Sequence, residues 1–173
     1  AQTGFNWTDA FTSLQDALAF SISGDQVWVA DGIYYPDVGA GLADNDRSLS
    51  FVIKEGVTVY GGFDGGETSL AARAWQTHRA ILSGDLAQDD TTDGAGLVLS
   101  YTDQAGSNAY SVVRFANTTN AAVLDGFYIT AGAAVGDGCP SENGCGGDIL
   151  VQSDSDTAGP AISNLVVSGC SAA

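Results

Sequence analysis

One short motif limits what this chain can fold into: a turn residue set directly before an alternating apolar run. ADGIYY (30–35), KEGVTVYGG (54–62) and LDGFYITAGAA (124–134) place Gly32, Gly56 and Gly126 there, and ISNLVVSG (162–169) places Asn164. Glycine, and next to it asparagine, is what a backbone position at positive φ selects. The predicted unit is a tight turn feeding a short strand. Aligned on these four residues, the units are 24, 70 and 38 residues apart. The second step is near three units of roughly 23, and the third is one unit plus a loop. A period in the twenties with one strand-rich unit per period is a solenoid signature. Such coils bury their apolar faces only by stacking, at about 4.8 Å per strand. A sandwich would supply the strands but explains the recurring turn less naturally.

The rest of the chain fits around that unit. In WTDAFTSLQDALAF, Trp7, Ala10, Phe11, Leu14, Ala17 and Leu18 form one apolar stripe at helical spacing, with Asn6 or Thr8 as N-cap and SGD (23–25) as the stop. Every later apolar segment is short, β-branched or aromatic, and bounded by Gly, Asp, Asn or Pro: 26–30, 50–53, 57–60, 80–83, 110–115, 122–130, 148–151 and 161–168. Segments 36–48, 86–109, 133–146 and 152–159 are polar and read as loop insertions, which cost little stability. With 173 residues, one domain is expected: a cap over 1–24 and coils over 25–173.

Charge narrows the function. Five basic residues stand against 21 acidic ones, a net charge of −16, so contact with a nucleic-acid backbone is not expected. Eighteen of the acids are Asp, which suits turns. No apolar run approaches the ~20 residues of a membrane span. The absence of methionine and the opening AQTG fit a mature exported product, so a secreted, cell-surface location is expected.

Several blocks resemble a known group. WTDAFTSLQDAL, GDQVWVADGIYYP, GVTVYGGFDGGETSL followed by Arg73, ILSGD, VLDGFYITAGAA, GCGGDI and ISNLVVSGCSAA resemble the secreted right-handed parallel β-helix proteins related to the polymorphic outer-membrane proteins. The resemblance implies an all-β, right-handed parallel β-helix with an N-terminal amphipathic capping helix and long loop insertions. It implies adhesive or structural surface proteins with no common catalytic motif. Two residues depart from the pattern: Asp148 after Gly146-Gly147, and Cys170 where asparagine is usual.

Candidate chemistry is sparse. A polysaccharide lyase needs a tuned base beside carboxylates, and a glycoside hydrolase needs paired carboxylates. Arg47, Lys54, Arg73, Arg79 and Arg114 are scattered one per segment; Lys54 and Arg114 read as solvated surface charges. Asp31, Glu55 and Asp125 occupy equivalent places and would stack as a ladder, most simply for turn stabilisation. His78, the only histidine, has no second ligand or thiol beside it. No cofactor is required on this reading. Two acidic loops are candidates for calcium: Asp44-Asn45-Asp46 with Asp37, and Asp85 with Asp89, Asp90 and Asp93. Cys139 and Cys145 frame a tight loop and are expected to form a disulfide in an oxidising compartment. Tyr34, Tyr35, Tyr101 and Tyr110 are the candidate platforms for a carbohydrate.

These features predict a non-enzymatic extracellular module, with a carbohydrate-active or carbohydrate-binding protein as the alternative. No amphipathic helix or polar segment follows Asn164. An assembly contact is therefore expected over 161–173, through Ile162, Leu165, Val167 and Cys170, made with another copy or another surface protein, unless the chain begins a longer solenoid.

Overall fold

The computed structural model describes residues 2–134, 147–152 and 158–172. Among these residues eleven strands are present: β1 (Gln26–Ala30), β2 (Gly32–Tyr34), β3 (Phe51–Ile53), β4 (Thr58–Phe63), β5 (Ala80–Ser83), β6 (Ser111–Ala116), β7 (Val123–Thr130), β8 (Ala133–Ala134), β9 (Gly147–Gln152), β10 (Ala161–Ser168) and β11 (Ser171–Ala172). Three of these, β1, β5 and β10, coincide with the predicted segments. One α-helix, α1 (Leu14–Phe20), precedes them.

Every strand pairing is parallel. Six strands form the main sheet, in the order β1-β4-β7-β5-β2 with β10 also on β7; β3-β6-β9 and β8-β11 form two smaller sheets. The main sheet and the β3-β6-β9 sheet wrap one apolar interior. Phe51 and Ile53 enter it from β3, Val59 from β4, Leu82 from β5, Phe115 from β6, and Leu124, Phe127 and Ile129 from β7. Each such side chain contributes roughly 1.5–3 kcal/mol on burial. These large residues recur at alternate positions, as a strand with one buried face requires.

The expected right-handed parallel β-helix is corrected here. The strands are parallel, but they form sheets closed almost like a barrel around that interior, and among the described residues no right-handed solenoid of repeated coils is shown. The key strand is β7, which pairs β4 along Val123–Asp125, β5 along Phe127–Thr130, and β10 over most of its length. The recurrent turn residue explains the difference. Gly56 (φ +74) does sit in a turn before β4, and Gly32 (φ +148) opens β2. Gly126 (φ +87) and Asn164 (φ +51), however, lie inside β7 and β10. A positive φ within a strand redirects it: the two halves of β7 meet different partners, β4 and β5, and β10 follows the same bend along β7. One sequence signal thus marks two geometries, and its spacing is not a coil period.

The N-terminal stripe also divides. Trp7–Asp9 forms a one-turn 3-10 helix capped by Asn6, whose side chain accepts from Asp9 N–H. The α-helix starts only at Leu14, with Ser13 accepting from Asp16 N–H as its N-cap. Ala10 is extended between them (ψ 150). Leu14 and Leu18 remain the buried face of α1, packed into the shared interior.

The 86–109 segment is not a free loop. The buried Thr130 hydroxyl accepts from Val98 N–H (3.1 Å), and the Gln104 amide donates to Gly132 O (3.0 Å) and Gly169 O (2.8 Å). These bonds fasten the insertion across the ends of β7 and β10.

Candidate functional site

Strand register sets a row of side chains across the main sheet: Trp28 on β1, Tyr60 on β4, Asp125 on β7 and Ser163 on β10. Arg73, from the loop after β4, lies over the Tyr60 ring with its guanidinium carbon 5.1 Å from the centroid. It forms an ion pair with the Asp125 carboxylate and donates to Asp125 O (3.2 Å) and Gly61 O (3.3 Å). Asp125 also accepts from the Ser163 hydroxyl and from Asn164 Nδ2 (2.9 Å). Burial raises the Asp125 carboxyl, but donation from Ser163, Arg73 and Asn164 outweighs it and holds the group below the usual Asp range. A carboxylate so occupied is a lock between β7, β10 and the Arg73 loop. It is poorly suited to accept a substrate proton.

The predicted Asp31–Glu55–Asp125 ladder does not form. Asp31 lies 3.8 Å from His78 Nδ1, whereas Glu55 accepts from the Thr119 N–H and hydroxyl (2.7 Å each), which lowers its pKa. Nor is Lys54 merely solvated. Its ammonium donates to Ala19 O and Ser21 O (2.9 Å each), closing the C-terminus of α1. Arg47 donates to Asn108 O (2.6 Å) and Ala133 O (3.0 Å) and stacks on Tyr110. Arg79 lies over Tyr128, and Arg114 is bonded to the Gln152 side chain rather than solvated. All five cations therefore hold the fold.

Of the two acidic loops, one converges. Asp85, Asp89 and Asp90 each offer a carboxylate oxygen within 4.8 Å of the others. Asp85 is buried and accepts from Asp89 N–H and Asp90 N–H (3.1 Å each). Desolvation raises the Asp90 carboxyl; donation from Ala105 and Asn108 opposes this, and the charges of Asp85 and Asp89 add to it. Hard oxygens at this spacing could hold Ca²⁺. Asp93 instead accepts from Ala95 and Leu97 N–H in its own turn. In the other loop Asp44 is exposed, and Asp46 accepts from Ser48. Asp37 is buried, with Oδ2 accepting from Asn45 N–H (2.9 Å) and Oδ1 unpartnered among the described residues. That loop makes no three-acid group.

The two residues that depart from the family-like pattern meet: the Cys170 thiol donates to the Asp148 carboxylate and lies 3.1 Å from Ser168 O. Burial pushes the Asp148 carboxyl up to about 7, against a backbone hydrogen bond from Gly132. Cys170 is a free thiol. Cys139 and Cys145 lie outside the described residues. Of the four tyrosines, only Tyr101 is largely exposed; Tyr34 is packed against the core and donates its hydroxyl to Ala30 O (3.0 Å).

Several strand edges are unpaired among the described residues. β10 pairs β7 on one side, and among the described residues no strand lies on the other. Its Ile162, Leu165 and Val167 stand in register with Leu124, Phe127 and Ile129, which are fully buried, yet Ile162 is 39% and Val167 48% exposed. On β9, Val151 pairs with buried Phe115 and is 45% exposed. At the opposite edge of the main sheet lies β1, beneath the N-terminal segment.

No family model, curated protein or solved structure matches this chain. Nothing therefore links it to the polymorphic outer-membrane proteins beyond the sequence blocks themselves. Among the described residues, no helix is long and apolar enough to cross a membrane.

Proposed function

We propose that the chain is a non-enzymatic structural or adhesive module of an exported, surface-associated protein, and that it docks a partner strand along the free edge of β10. One observation carries this reading: the inward ladder of the core continues onto Ile162, Leu165 and Val167, where Leu165 packs against the core but Ile162 and Val167 are left exposed. Exposed sheet edges normally carry charge or proline to prevent pairing. Residues 161–172 contain no Asp, Glu, Lys or Arg, although the chain has a net charge of −16. An edge left uncharged in so acidic a molecule is suited to strand addition, with main-chain bonds giving affinity and alternate apolar side chains giving register. The ionisable side chains support a structural role, because Arg73, Asp125, Lys54 and Glu55 are used to fasten turns and loops.

Sedimentation velocity over a concentration series tests it. The native chain should associate, and Val167→Lys should sediment as a folded monomer with an unchanged circular dichroism spectrum. A native monomer at high concentration, with β10 amides protected from hydrogen exchange, would overturn the reading.

A further inference from the structure

A groove lies along the β1 edge of the main sheet, apart from β10. All five residues of β1 line a groove of about 820 Å³, whose far wall is the N-terminal segment from Thr3 to Ser21. Among the described residues β1 pairs only with β4, so one edge of its backbone is directed away from the sheet. The N-terminal segment does not fill that edge: its backbone bonds run within itself, as from Thr3 and Gly4 N–H to Asp9 O.

The groove is aromatic and acidic. Trp28 stacks on Phe63 at 4.7 Å between centroids, and Trp7 is fixed by donating Nε1–H to Glu67 O (2.9 Å). Phe5 and Phe20 are left 84% and 61% exposed at the lining. The charged residues lining the groove are Asp25 and Glu67, with no Lys or Arg among them. Aromatic faces and carboxylates share one preferred guest, the guanidinium or ammonium group. A free strand edge adds a preference for extended backbone.

We infer that this groove binds an extended cationic peptide segment of a partner protein, added as a strand along β1 with its Arg or Lys side chains over the aromatic wall. The acidic molecule steers such a segment inward. A second copy of this chain is a poor guest for this groove, because its five Lys and Arg residues are engaged in its own fold.

The test is a tryptophan-fluorescence titration of the full chain with a nine-residue peptide of alternating Arg and Val. Saturable binding that weakens with salt is expected, as is loss of binding when alternate peptide amides are N-methylated, which removes only the strand pairing. Asp25→Asn, which keeps an acceptor for Ile22 N–H, and Phe5→Ala should each weaken binding by about threefold or more. Equal binding of the N-methylated peptide would reduce the groove to non-specific charge attraction and overturn the proposal. So would equal binding of an acidic peptide, tighter binding of a neutral oligosaccharide, or no saturation.

Discussion

Arg73 shows how one side chain can join three distant pieces of chain. Its partners are Tyr60 and Gly61 on β4, and both the carboxylate and the carbonyl of Asp125 on β7. Arg73→Met keeps the stem over Tyr60 but leaves the Asp125 carboxylate without its counter-charge, held only by Ser163 and Asn164. The expected loss is about 3 kcal/mol at neutral pH, the usual cost of breaking a buried pair from one side. The pH dependence has a definite sign. The Asp125 pKa is lowered in the folded chain, so its contribution is present above the ordinary carboxylate range and is lost as pH falls through the folded value. Urea melts of both proteins should therefore differ most at pH 7 and converge in acid. A gap that stays constant with pH would mean that Arg73 acts by packing alone. The sequence places Asp125 beside a turn glycine but does not reveal its partner, which is 52 residues away in the loop after β4. By contrast, Cys170 and Asp148 were visible as departures from a pattern, and the structure brings them into contact.

At the scale of elements, apolar alternation made most strands legible, because burial of one face enforces a period of two. It gave β1, β5 and β10 their bounds. It did not give the pairing, since Gly126 and Asn164 look the same in sequence whether they precede a strand or bend one. The helix was overextended for a related reason. Trp7, Ala10 and Phe11 continue the apolar stripe, but Ser13 caps α1 and Ala10 is extended. What holds α1 in place is decidable by magnitude. Lys54 closes its last carbonyls from a largely exposed position, an interaction of about 0.3–1 kcal/mol. Leu18 is buried in the core, and its truncation to Ala costs about 2–5 kcal/mol. Chemical denaturation should therefore find Leu18→Ala several times more damaging than Lys54→Met. Equal losses would assign the attachment of α1 to its capping instead of its buried face.

For the whole molecule, the governing imbalance is 21 acids against five bases, with every base already engaged in the fold. Such a chain carries self-repulsion that counter-ions relieve, so added salt should raise its melting temperature by screening. A bound cation would do more, and would do it locally. Asp85, Asp89 and Asp90 converge within 4.8 Å, and their mutual repulsion adds to the burial that raises Asp90. A cation there would replace that repulsion with attraction and stabilise only the folded chain, by an amount that grows with the logarithm of its concentration. Scanning calorimetry at fixed ionic strength separates the two effects. Calcium at about 100 times its dissociation constant should add roughly 2.7 kcal/mol, or several degrees, beyond sodium at the same ionic strength. Asp89 is the exposed member and makes the least disruptive probe. Asp89→Asn should abolish the calcium increment while retaining the response to sodium. If calcium and sodium act alike at equal ionic strength, the three carboxylates only fasten their own turn, and the acidity of the chain works through screening alone.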